Sequence, residues 1–211
     1  MAARRGLQLS WVVGGSLLIA SATAAIAALS GGASTAPASV VGGLLFAAAA
    51  LVLALGIPDG RRVAGASRLG AGAVIVFGCW PVVIGLVDGV LASVGDLGPV
   101  MVLGYLDIVI RLGAGIVAVV MIARAADVPS RWRWAPLWGL VAVVAPQVLI
   151  QLAAAAVPAE QLLSFVAVVG AVLSVITIVV PAGLGVLAIV YARHPVERVV
   201  PVYGPGAGEP S

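Results

Sequence analysis

Val100-Met101-Val102-Leu103-Gly104-Tyr105-Leu106-Asp107-Ile108-Val109-Ile110-Arg111-Leu112-Gly113-Ala114-Gly115, continuing to Ala123, is an apolar run with one acid and one base inside it, four residues apart. A helix needs ~20 apolar residues to cross ~30 Å of hydrocarbon, and this run has them. Residues four apart share a helix face, so Asp107 and Arg111 can pair along their own helix. A lone charge at the bilayer centre costs at least ~2.5–3.5 kcal/mol on insertion scales, so such side chains turn inward and find partners. The run is therefore predicted to be a transmembrane helix whose charged pair faces other protein.

Five further runs resemble it, giving spans at about 7–29, 38–57, 69–91, 99–123, 135–157 and 162–190. Of the 211 residues, 63% are hydrophobic and 9% charged, with mean hydropathy +1.23. A soluble domain carries about 25% charged residues, so a membrane class is indicated. The connections are short and contain Gly, Pro, Ser or charge, and none can hold a separate soluble domain. The expectation is an all-α polytopic membrane protein: one six-transmembrane-helix bundle over 1–192, followed by a disordered tail over 193–211 that includes His194. Ala36-Pro37-Ala38 would suit signal cleavage, but an h-region is only ~7–15 residues, and the longer first run is expected to stay as a helix.

The arginines set the orientation. Arg4 and Arg5 precede the first run, Arg61, Arg62 and Arg68 lie between the second and third, Arg124, Arg131 and Arg133 between the fourth and fifth, and Arg193 and Arg198 follow the sixth. The connections 30–37, 92–98 and 158–161 hold none. Basic residues mark the cytoplasmic side, so both termini are expected in the cytoplasm of a bacterial plasma membrane. The net charge of +3 is accounted for by these loop arginines, and no nucleic-acid partner is expected. Trp11, Trp132, Trp134 and Trp138 fall near the same interface and read as membrane anchors.

Small residues spaced four apart allow close helix packing. Gly43 with Ala47, Gly85 with Gly89, Ala114 with Ala118, and Gly170 with Ser174 have that spacing. Pro81, Pro146 and Pro181 lie inside spans, and the Thr177 hydroxyl is placed to answer a backbone group freed by Pro181.

Five intramembrane polar residues form the candidate site. Arg111 is mid-span, with Asp107 ~6 Å outward of it and Asp88 ~12 Å outward of the middle of the third span, by helical rise. Gln147 and Gln151 lie near the middle of the fifth span, one turn apart. All five are expected in the outer half of the membrane, with Asp88 lacking an assigned cation.

Catalytic constellations are missing from the sequence. The one cysteine, Cys79, excludes an intrachain disulfide, the one histidine is in the tail, and there is no lysine for a phosphate-binding loop. No metal, haem or other cofactor is implied. Asp59-Gly60-Arg61-Arg62 begins like the Asp-Gly-x-x-Ala-Arg motif of phospholipid-synthesising alcohol phosphotransferases, but the Ala-Arg and the downstream aspartates are lacking, and Pro58-Asp59-Gly60 reads as a turn. The expected role is non-catalytic: a subunit or accessory protein of a membrane complex, with the lipid bilayer and a membrane-protein partner or second copy around it. The alternative is a small transporter or channel passing a proton, cation or small polar solute through Asp88, Asp107, Arg111, Gln147 and Gln151.

Overall fold

Backbone N–H and C=O groups that meet no water must pair within their own segment, and a long apolar run does so as an α-helix. The structure, a computed structural model, describes residues 2–30, 36–56, 67–94, 98–124, 134–156 and 158–193. It has six helices: α1 (Ala2–Ser30), α2 (Ala36–Leu55), α3 (Arg68–Val94), α4 (Gly98–Arg124), α5 (Ala135–Ala156) and α6 (Ala159–Arg193). Five carry segments long and apolar enough to cross a membrane, while α5 carries a shorter apolar stretch, Ala135–Ile150, among the described residues. The all-helical, apolar architecture agrees with the reading of the sequence.

Local chemistry sets the boundaries that can be traced. The α2 helix stops at Gly56, whose φ of 73° only glycine adopts without strain, and whose N–H returns to the Val52 carbonyl at 3.0 Å. The start of α3 is capped by Ser67, whose hydroxyl accepts the Gly70 N–H at 3.2 Å. The internal prolines of α3, α5 and α6 do not divide those helices.

Each helix packs on its neighbours in sequence, and α6 closes onto α1; among the described residues no other helix pair touches. The result is a ring of six rather than a filled bundle. Short connections make consecutive helices antiparallel. The end at which α1, α3 and α5 begin is called the near end below, and the opposite one the far end.

Small residues hold the ring together. The buried set is dominated by alanine, including Ala47, Ala49, Ala50, Ala54, Ala71, Ala118 and Ala188, whereas leucines and valines on every helix are exposed. Such an apolar exterior with a small-residue interior suits a lipid surround and would be unusual in water. At the α1–α6 crossing a Cβ on Gly15 would lie 2.6 Å from the Gly185 carbonyl oxygen, and one on Gly185 would lie 2.6 Å from the Gly15 oxygen. At the α2–α3 crossing Gly78 faces Ala50 with no room for a side chain.

The four small-residue spacings fare unevenly. Gly43 meets Val82 and Ala47 is buried, so this pair sits at the α2–α3 seam. Ala118 is buried too. Around Gly85, Gly89 and Gly170 a Cβ would meet open space, so these glycines are not packing contacts. The arginine-bearing segments 57–66 and 125–133, His194 and the rest of the tail, and Trp132 lie outside the described residues. Trp134 and Trp138 are exposed, the latter at 71%. Trp11 behaves differently from an anchor: its ring packs edge-on against Tyr191, with centroids 5.0 Å apart, and both residues line the interior of the ring.

Candidate functional site

A ring whose members touch only their neighbours leaves a space along its axis. That space is a chamber of about 660 Å3, with wall residues from all six helices. On α4 the wall is Arg111, Gly115, Ala118, Val119 and Ile122. These positions recur every three to four residues, as one face of a helix must. The face is ~16 Å long at the helical rise of about 1.5 Å per residue. Phe77 and Pro81 of α3, Leu140 and Val144 of α5, and Leu184 and Ala188 of α6 continue an apolar wall.

Three hydroxyls on that wall are turned back onto their own helices. Ser21 donates to the Leu18 carbonyl at 2.8 Å, Ser174 to the Gly170 carbonyl at 2.9 Å, and Thr177 to the Ser174 carbonyl at 2.8 Å. The Thr177 hydroxyl thus serves the Ser174 carbonyl, one turn earlier than the proline-freed group expected from the sequence. Serine and threonine commonly hide their polarity in this way inside an apolar helix.

Arg111 is the charged residue on the chamber wall among the described residues. Its Nε–H donates to Asp107 Oδ1 at 2.6 Å, the ion pair expected from the four-residue spacing. The indole Nε1–H of Trp80 donates to the same oxygen at 2.8 Å, tying α3 to α4. The two side chains of the pair are 22% and 17% exposed, so the pair is largely withdrawn from its surroundings. The terminal Nη groups of Arg111 take no partner among the described residues. Arg111 thus brings to the chamber wall a guanidinium whose Nε is held by a carboxylate and whose Nη groups keep donor capacity.

Gln147 lies one turn beyond Val143 and Val144 on α5, on the same helical face. Counted from the near ends of their helices, Gln147 and Arg111 lie at similar depths, about 18 Å and 20 Å along the helical rise. The Oε1 atom of Gln147 is buried with no hydrogen-bond partner among the described residues. A buried acceptor without a partner carries a desolvation cost of about 1–3 kcal/mol, which a bound donor would relieve.

The structure joins Asp107 to Arg111, and Gln147 lies about as far along α5 from the near end as Arg111 does along α4. The structure does not bring Asp88 to them: that residue is exposed in the far half of α3, where its neighbours Leu86 and Val90 are exposed as well. Gln151 stands on α5, with its side chain outside the described residues. Trp80 escaped the sequence reading. A tryptophan beside Pro81 in mid-helix, away from either interface, is a signal in itself, because its N–H needs an acceptor where no water reaches. Among the described residues no cluster of His, Cys, Asp or Glu has metal-binding geometry. No family model, no curated protein and no solved structure matches this chain.

Proposed function

We propose that this protein is a non-catalytic, six-span protein of a bacterial plasma membrane, with both ends in the cytoplasm, which acts as a binding or accessory protein by holding an apolar molecule in its axial chamber. One observation carries this reading: every helix contributes to a chamber whose wall is mostly apolar, with Arg111 as its charged residue among the described residues. Small-molecule sites commonly measure ~300–1,000 Å3 and are mostly apolar with a few placed polar groups, which is the character of this space. The α5 helix, with 22 residues, would extend ~33 Å at the helical rise and supplies the sixth crossing. The arginine distribution in the sequence supports the orientation.

A second reading, transport of a proton or small polar solute, draws on the acid–base pair inside an apolar helix and on the buried Gln147 oxygen of α5, which has no partner among the described residues. Reconstitution of the full chain into liposomes separates the two. Proton and cation flux at the level of empty liposomes, together with an apolar molecule retained through purification and seen by native mass spectrometry, is the expected result. Flux that Asp107→Asn abolishes at unchanged protein level, with no molecule retained, would overturn the binding reading in favour of transport.

A further inference from the structure

The chamber wall is mostly apolar and carries one charged residue among the described residues, Arg111, and this contrast names a ligand class. We propose that the chamber binds a single-chain amphiphile whose uncharged headgroup, bearing a carbonyl or hydroxyl oxygen, accepts hydrogen bonds from the Nη groups of Arg111. The proposal rests on the binding reading above and specifies its occupant.

Three observations lead to it. The Nε of Arg111 is committed to Asp107, while its Nη groups are without partners among the described residues and the residue stands on the chamber wall. Those N–H groups form a fork that meets an acceptor oxygen with defined geometry. The wall from Arg111 to Ile122 on α4 then runs ~16 Å by helical rise with no further charge, enough for a medium-length apolar chain lying toward Trp11 and Tyr191.

Charge balance selects an uncharged headgroup over an anion. Asp107 already neutralises Arg111, and Trp80 holds the carboxylate in place. A carboxylate or phosphate added to this pair would leave a net negative charge away from water, which is disfavoured unless it is paired. An ester, ketone or alcohol takes the same hydrogen bonds and leaves the site neutral.

The test uses the full chain in lipid nanodiscs and tritiated methyl hexadecanoate as the probe, with hexadecanoate at pH 8 and hexadecane as competitors. The wild type is expected to bind the ester saturably, one per chain, with unlabelled ester competing at least tenfold better than either hexadecane or the anion. Thr177→Phe, which fills the chamber from α6, should abolish binding. Arg111→Lys keeps a cation beside Asp107 but removes the fork, and should weaken binding tenfold or more while the protein still elutes as a folded species. Binding lost in Thr177→Phe but unchanged in Arg111→Lys would overturn the headgroup assignment and leave the chamber reading standing. Tighter competition by hexadecanoate would overturn the uncharged class. Binding unchanged in Thr177→Phe would remove the chamber itself as the site.

Discussion

The seam between α1 and α6 and the seam between α4 and α5 close the same ring by opposite means. At the first, two glycines bring backbones so close that neither can carry a Cβ, and contact runs along much of both helices. At the second, contact is the sparsest in the ring and is centred on Leu140, which occupies the space that Gly115 leaves open, with Val119 and Val144 beside it. The polar contacts lie away from both: Asp107 and Arg111 pair on α4, and Trp80 ties that pair to α3, while Gln147 on α5 keeps a buried oxygen without a partner among the described residues. Close backbone packing fixes the α1–α6 side of the ring, while on the opposite side the charged pair and its bond to Trp80 join α4 to α3.

Breaking the polar side should have the largest effect. Asp107→Leu leaves the Arg111 charge without its carboxylate, and loss of one partner of a withdrawn ion pair costs about 3–5 kcal/mol. Thermal unfolding in detergent should show a large fall in midpoint, and Asp107→Leu combined with Arg111→Leu should recover most of it. Breaking the close-packed side comes next. Gly15→Leu drives a side chain into the Gly185 carbonyl, and overpacking of this kind costs about 1–3 kcal/mol, or more when backbone must move. The same unfolding measurement should register it. The smallest effect sharpens the contrast between the seams: Trp80→Phe removes one interhelical hydrogen bond, worth about 1–2 kcal/mol inside a membrane. Its loss should be accompanied by faster hydrogen exchange in α4 and none in α1.

The sequence made some of this legible and hid the rest for physical reasons. Asp107 and Arg111 stood out because a charge inside an apolar run has few options, and the nearest opposite charge lay one turn away. Helix number followed from run length against bilayer thickness. Trp80 was missed because tryptophan in membrane proteins is usually weighed as an interfacial anchor, and Trp11 was assigned to that belt although it faces the chamber. The tight crossings were missed for another reason. Gly15 and Gly185 meet as single glycines across two helices, a contact that no spacing within one helix marks, whereas Gly85 and Gly89, which have the spacing, face open space. In apolar helices without a polar stripe, periodicity does not distinguish a face turned to lipid from one turned to protein. The ring itself, set by contact between the first and last helices, leaves no local mark in the sequence.

Closure between those two helices is what makes a chamber of six helices rather than an open row. It can be measured directly in native membranes with Trp11→Cys and Tyr191→Cys introduced together in a Cys79→Ser background, using a short bifunctional thiol reagent. The rings of Trp11 and Tyr191 lie 5.0 Å apart, so rapid intramolecular cross-linking within one chain is expected. Cross-linking only between chains, or none while each single cysteine is reactive, would contradict the ring.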